Sequence, residues 1–425
     1  MLSEYDEDLP RLAFIFFAAS VISLITLSSD VLMLFNYPFG DSYASFIYKL
    51  HPQFYFIFLC FTMVFVKQGL PGIKNILLVK TIFWWLVICI LCFLYVTIIL
   101  KQPMTIIITT WLCPMLMLAI YFHCSMSQKK FLHKVCIYII TINGVISIYE
   151  YVFSHHIIPK NYFSVLEGEL LDISEWDFSR SVALYGHPLT ATMIAALTVI
   201  GLTARSRVIA LTKLEKICLV TSWASLPAFG GRTAIAVTIV LVGCMGVSSL
   251  TKTLKQGISH RNIIFFLVSL FSMPLIILFA YNLGLFDNLL ARINDDNGSA
   301  ETRLVALQIL FDTPISSVLF GDYDKELFER QVFFGTTYGV EVFWIAIILS
   351  WGCITSVPLF ALLLYLSKLL IKYIGNYIIW VCVAFALILS SGVGLSVKTL
   401  LLSQFLMVTL FVVSGAINIH DDSYD

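Results

Sequence analysis

Four short stretches bring charge and irregular backbone together in a chain that is otherwise apolar. Arg180 is followed by Ala183-Leu-Tyr-Gly-His187-Pro188 and then a long apolar run. Phe229-Gly-Gly-Arg232-Thr-Ala separates two apolar runs with almost no spacer. Glu301-Thr-Arg303 precedes Pro314 and Gly321, and Tyr338-Gly-Val-Glu341-Val-Phe-Trp opens a run that contains Gly352. Arg180, Arg232 and Arg303 suit an anionic partner, phosphate above all, because a guanidinium offers two parallel charge-assisted hydrogen bonds. The plainer alternative is that each arginine pairs with a loop acid or lies along lipid headgroups. Glu341, at the mouth of a helix, is placed to act as a general base, and it equally suits a first-turn carboxylate favoured by the helix dipole. His187 suits an acid, a base or a hydrogen-bonding prop.

Glu150 lies within an apolar run, where an ionisable group is a functional candidate by default. His155 and His156 suggest a metal, but spacing supplies no third ligand, which leaves a solvated loop. The sequence holds no Walker A lysine loop, no dinucleotide-binding glycine pattern and no HExxH, and its one CxxC, Cys89 to Cys92, lies inside an apolar run with no second CxxC to pair with. Its basic segments are short and flank apolar runs, so nucleic-acid binding has no support.

The elements that must position these residues are membrane helices. Of 425 residues 59% are hydrophobic and 12% charged, with a mean hydropathy of +0.92, against roughly 25% charged in a soluble domain. The apolar residues fall into blocks of about 20, the length that crosses roughly 30 Å of hydrocarbon. The blocks read as helices over 11–29, 45–66, 76–100, 103–123, 132–153, 182–204, 213–229, 232–250, 262–284, 342–370, 376–393 and 396–417. The tenth is long enough to begin with a separate, re-entrant piece. The fold class is therefore all-α, a polytopic membrane protein with about twelve spans. It divides into helices 1–5 (1–153), a first loop (154–181), helices 6–9 (182–284), a large loop (285–341), and helices 10–12 with a tail (342–425). Within the large loop, 301–311 has helical periodicity, with Ser299 or Thr302 as its cap.

Alternate gaps between these spans hold Lys67, Lys74, Lys129, Lys130, Lys134, Arg205, Arg207, Lys213, Lys216, Lys252, Lys255, Arg261, Lys368 and Lys372, with Glu215 the single acid. The positive-inside rule puts that side in the cytoplasm with both termini, and both long loops outside. The acidic start (Glu4, Asp6, Glu7, Asp8) lacks the basic region of a signal peptide, so the first block reads as a retained helix.

Taken in order, the four stretches resemble the O-antigen polymerase and ligase superfamily (the Wzy and WaaL types). Arg180 with Tyr185-Gly-His187-Pro188 is similar to that family's arginine followed by F-x-x-P-N at a helix start. Gly230-Gly231-Arg232 resembles its S-x-S-R-G-A turn. Arg303, Ala306, Leu307, Pro314 and Gly321 resemble its R…A-L…P…G-x-G loop segment. Glu341 through Gly352 resembles H-N-x-Y-L-x-L-L-x-x-x-G, with Glu341 where the ligases carry a histidine. Leu189 stands where the pattern has Asn, and Asp322-Tyr323 replaces the second loop glycine.

The resemblance implies glycosyl transfer on the periplasmic face of a bacterial inner membrane. The donor would be a glycan on undecaprenyl pyrophosphate, and the acceptor a hydroxyl of a second lipid-linked repeat. Arg180, Arg232 and Arg303, with His187 beside them, would bind the pyrophosphate, and Arg232 and Glu341 would carry catalysis. No metal or cofactor is demanded. A chain-length regulator and a flippase are the implied partners, besides membrane lipid. The Glu341 position favours a polymerase over a ligase. A secondary transporter or lipid flippase is the alternative from another class.

Overall fold

The computed structural model describes residues 9–39, 45–77, 80–159, 161–163, 170–172, 180–256, 299–336, 340–392 and 394–415. The chain is overwhelmingly helical. Helices α1 (Arg11–Thr26), α2 (Ser29–Leu34), α3 (Pro52–Leu77), α4 (Lys80–Leu94, extended by a π-helical turn Tyr95–Ile99) and α5 (Cys113–Phe122, preceded by a π-helical turn Ile107–Leu112) come first. They are followed by α6 (Met126–Phe153), α7 (Pro188–Ser206), α8 (Lys213–Phe229) and α9 (Arg232–Gln256). Then come α10 (Ser299–Asp312), α11 (Ile315–Phe320), α12 (Leu327–Phe333), α13 (Phe343–Ile374), α14 (Ile379–Leu389) and α15 (Leu401–Met407, continued by a π-helical turn Val408–Val413). The strands among the described residues are the antiparallel pair β1 (Asn161–Phe163) and β2 (Leu170–Asp172), a departure from a purely helical chain.

Local chemistry sets the boundaries. Ser125 with Gln128, and Thr212 with Glu215, form capping boxes that open α6 and α8. Pro188 occupies the first turn of α7, where its missing N–H costs nothing.

Among the described residues, six helical stretches are long and apolar enough to cross a membrane: those at 52–77, 82–99, 126–153, 188–206, 232–249 and 343–374. Shorter apolar helices occupy 11–26, 107–122, 376–389 and 401–413. The expected span 262–284 lies outside the described residues; the span 213–229 coincides with α8, and each other expected span falls on a helix with one or both ends shifted. The second starts late, because 45–50 form turns and α3 begins at Pro52. It also bends, since Gly69 takes a left-handed conformation (φ 66°) just before Pro71. The last begins at Leu401 rather than 396.

The helix ends sort into two groups. At one end, Leu9 bonds His123 and Gln128, and His133 lies against the carbonyl of Phe411 at 2.7 Å. There Glu215 forms a buried ion pair with Arg205 Nη1, with His133 Nε2 3.2 Å away. A Cβ on Gly415 would strike the Arg205 guanidinium, which fixes the end of the α15 segment over the pair. At the other end, His51 meets the Leu27 carbonyl at 2.7 Å, and Gly186 presses on Ser28. Lys398 donates to the Phe39 carbonyl at 2.6 Å, Thr110 bonds Val397, and Gly394 abuts Phe343. This second end carries the four charged stretches and is called the site end.

The expected long tenth span is two helices in one. Gly352 (φ 75°, ψ 163°) interrupts α13, separating 343–351 from 353–374. The break frees carbonyls that water cannot serve inside a bilayer. Ser356 Oγ donates across it to the Ile347 carbonyl at 3.1 Å. The Ser350 carbonyl accepts from Gln102 Nε2 at 3.2 Å and from the Asp322 amide at 3.3 Å. Gln102 Oε1 in turn accepts from Trp351 Nε1 at 2.8 Å, and Tyr95 Oη donates to the Phe320 carbonyl at 2.6 Å. Gly321 and Gly352 meet backbone to backbone: a Cβ on Gly352 would sit 2.5 Å from the Gly321 nitrogen, and one on Gly321 2.7 Å from the Trp351 carbonyl carbon.

Gly352→Ala therefore adds both a left-handed strain and a backbone clash, together costing about 2–5 kcal/mol. The variant should unfold several degrees below the parent in detergent and be cut faster by trypsin after the exposed Lys325; parental behaviour in both assays would contradict the interlock. Glu215→Gln, which leaves the Arg205 charge buried and unpaired, should cost about 3–5 kcal/mol in the same thermal assay.

Candidate functional site

The site end holds two clusters of the residues singled out by sequence. The first forms where the 180–188 segment meets the turn between α8 and α9. Gly230 ends α8 in a left-handed conformation (φ 66°), and the side chain of Arg180 packs on it, so that a Cβ there would lie 3.2 Å from Arg180 Cδ. The Ser181 amide donates to the Ala228 carbonyl at 3.0 Å. Gly231 leaves no room for a side chain, since a Cβ would meet Thr192 Oγ1 at 2.6 Å; instead its amide donates to that hydroxyl at 3.2 Å. Thr192 Oγ1 passes its own proton to the Pro188 carbonyl at 2.7 Å. The glycine pair thus sutures α7 to the α8–α9 turn, and Arg232, half-buried, opens α9 two residues after the glycine on which Arg180 packs.

His187 is exposed and caps α7: its Nδ1 accepts from the Leu189 amide at 3.3 Å. That geometry is the prop among the roles open to it.

What holds Arg180 in place is Glu150, fully buried near the end of α6. One carboxylate oxygen accepts from Ser181 Oγ, from the Val182 amide at 3.1 Å and from the Ala183 amide at 3.0 Å. The other accepts from the Ile157 amide at 3.0 Å, and His156 Nδ1 lies buried 3.7 Å from the first oxygen. Asn143, two turns earlier on α6, accepts from the Leu184 amide at 3.0 Å. These bonds fix Ala183 in a left-handed conformation (φ 47°) that a side-chain-bearing residue adopts only when its surroundings demand it. Glu150 is saturated by donors, so its role is to position the Arg180 segment rather than to exchange protons.

The second cluster joins the large loop to α13. Glu341 precedes α13 without capping it: the cap position is Val342, and Glu341 Oε2 accepts from Thr302 Oγ1 at 3.1 Å. The expected capping role of Thr302 is thereby corrected, since α10 begins at Ser299 and the Thr302 hydroxyl is spent on Glu341. Arg303 follows on the same turn, and its Nε is buried without a hydrogen-bond partner among the described residues. Ala306 and Ile309 on α10 pack against Val342, Ile345 and Leu349, which holds the Thr302–Glu341 contact in register. Next along the loop, Asp322 Oδ1 accepts from the Leu327 amide at 3.1 Å, and burial pushes its carboxyl pKa above the ordinary value.

His155 is exposed while His156 is buried beside Glu150, and among the described residues no group of three His, Cys, Asp or Glu side chains is arranged to hold a metal. Sequence reasoning missed Asn143, Thr192 and Gln102. A signal existed for the first: Asn143, Ser147 and Glu150 recur at i, i+4 and i+7, one polar stripe on an apolar helix, and all three are fully buried.

Compared with family models, with curated proteins and with solved structures, the chain matches none. The arrangement itself is that of an apolar helical bundle with arginines and carboxylates at one end.

Glu150→Gln turns an amide donor toward backbone N–H groups and removes the charge they solvate, at a cost of about 2–4 kcal/mol. We expect a lower unfolding temperature for Glu150→Gln and an intermediate one for Glu150→Asp; a Gln variant as stable as the parent would remove the anchoring role.

Proposed function

We propose that this chain is a membrane glycosyltransferase that joins undecaprenyl-pyrophosphate-linked oligosaccharide repeats into O-antigen, capsule or exopolysaccharide. It would work on the outer face of a bacterial cytoplasmic membrane, through about twelve crossings, with both termini inside. The observation that carries this reading is the second cluster. A buried arginine Nε with no described partner stands one residue from the threonine that orients Glu341. A cation with a buried, unpartnered N–H on the residue next to the threonine that orients a carboxylate fits a reaction in which an anion leaves and a hydroxyl must lose its proton. Sidedness supports it as well, since the end opposite the site bears Lys129, Lys130, Arg205, Arg207 and Lys213, the bias of a cytoplasmic face.

In this mechanism an acceptor hydroxyl attacks the anomeric carbon of the donor's reducing-end sugar. The bond from that carbon to the pyrophosphate oxygen breaks, and undecaprenyl pyrophosphate departs with the electron pair. Glu341 takes the hydroxyl proton. Arg180, Arg232 and Arg303 neutralise the charge that accumulates on the departing pyrophosphate. His187 caps the helix that Arg180 leads into. Lipid-linked donor and acceptor both reach such a site laterally from the bilayer.

A transporter would place broken helices and ionisable groups near the bilayer midplane. The break in α13 instead lies nine residues from its start, at the site end, and it is filled by the loop.

The test is complementation of a deletion strain with Arg232→Ala and Glu341→Gln, scoring glycan length and protein level. Each variant should insert normally yet lower polymerisation by about 10²-fold or more, leaving single repeat units. Long polymer from both variants would remove these residues from the site. A deletion strain whose chain length is unchanged would remove the function itself.

A further inference from the structure

The described part of the large loop leaves much apolar surface bare. On α10, Leu304, Leu307 and Phe311 recur at i, i+3 and i+7 on the face opposite the packed Ala306 and Ile309, and Phe311 is 84% exposed. On α11, Ile315 (78% exposed) and Leu319 stand one turn apart. On α12, Phe328 and Val332 do the same, followed by Phe333 at 83%. The helices are tied into one body: Arg330 Nη1 donates to the Asp312 carbonyl at 2.7 Å, and Asp322 caps α12. A water-facing loop does not carry such stripes on three successive helices.

The bilayer boundary can be located independently of these stripes. Residues 353–374 form 22 residues of helix, about 33 Å at 1.5 Å per residue, which by itself spans the hydrocarbon core. The α4 segment from 80 to 99 gives about 30 Å by the same rise. Both stretches end at the same place, where Gln102 bonds Ser350 and Trp351 and Tyr95 Oη bonds the Phe320 carbonyl. The boundary therefore passes at Gly352 and Gly321, and α11 lies on it. Ile98 and Ile99, both exposed on the last turn of the α4 segment, carry the apolar belt of the bundle up to Tyr95 and so to Phe320. The bare stripes of the loop continue a surface that already faces lipid.

We propose that α10, α11 and α12 form an interfacial platform that rests on the bilayer, with Phe311, Ile315 and Phe333 inserted among the lipid headgroups and upper acyl chains. Phe, Leu and Ile on short amphipathic helices are the residues that make such contact. The acids at Asp324, Glu326 and Glu329 outnumber the bases Lys325 and Arg330 on the same segment, which favours a surface rich in zwitterionic phospholipid over a strongly anionic one. The platform would hold the Thr302–Glu341 cluster at the level where a lipid-linked substrate presents its headgroup. The inference rests on membrane insertion alone and stands whether or not the chain transfers sugars.

The experiment places photoreactive p-benzoyl-phenylalanine singly at Phe311, Ile315, Phe333, Ile98 and Lys325 of the full chain, reconstituted in phosphatidylethanolamine-rich nanodiscs. After irradiation, lipid adducts are counted by mass spectrometry. We expect adduct yields at 311, 315 and 333 within about threefold of Ile98, and at least about tenfold above the charged, exposed Lys325. Lipid adducts at Ile98 but not at the three loop positions would overturn the platform, as would adducts there to a second copy of the chain or to another protein. Failure at Ile98 would overturn the membrane boundary from which the platform is derived.

Discussion

A helix that stops beside hydrocarbon leaves amides and carbonyls that water cannot reach, and each must find a partner within the protein. The site end is built from several such stops: the end of α6, the start of α7, the glycine turn between α8 and α9, and the break inside α13. Each is completed by a side chain or backbone group from a distant segment. Glu150 serves the amides of Val182 and Ala183, Thr192 serves Gly231, and Gln102 serves Ser350. Polar groups recruited for this purpose fix the irregular backbone, and the irregular backbone is what brings Arg180 against Gly230 and Glu341 against Thr302. The same constraint therefore supplies stability and site geometry.

The part of this arrangement that was legible in the sequence is the part with a local cause. Pro188 fixes a helix start by its own ring, and Gly230-Gly231 fixes a tight turn by lacking side chains, so Arg232 could be placed at the head of a helix from sequence alone. The length of the tenth span pointed to a separate first piece, and Gly352 is where it ends. The unread part depends on contacts between segments far apart in the chain. Nothing near Gln102 states that it will bridge Ser350 and Trp351, about 250 positions away. Thr302 looked like a cap because helix N-termini favour threonine, yet it lies inside α10 and its hydroxyl bonds Glu341, just ahead of α13. The span over 45–66 was misplaced because its apolar residues continue through a segment that forms turns before Pro52.

Charge is handled differently at the two ends. Opposite the site, Arg205 is matched by Glu215 within bonding distance, with His133 beside the same oxygen and Gly415 closing over the guanidinium. Its Nη1 is bonded to Glu215 while its Nε is buried without a described partner, and the ion pair ties α6, α7, α8 and the α15 segment together. At the site end the one deeply buried carboxylate, Glu150, is consumed by backbone amides and a hydroxyl. It therefore cannot also neutralise Arg180, which it positions only through the adjoining residues 181–183.

The break in α13 links these two themes. A continuous helix from 343 to 374 would be about 48 Å long at 1.5 Å per residue, well beyond the hydrocarbon thickness. Its first turns would then project into water, away from the loop. With Gly352 at φ 75°, the chain ends the long segment at the boundary and restarts as a short helix whose direction is set separately. That short helix presents Glu341 at its mouth and packs along α10, so the angle at Gly352 decides where the carboxylate points. Gly321 then does for the loop what Gly352 does for the helix: neither position tolerates a Cβ, because each occupies the space the other would need. Two glycines in different segments, each required by the other's backbone, lock the loop that carries Arg303 to the helix that carries Glu341.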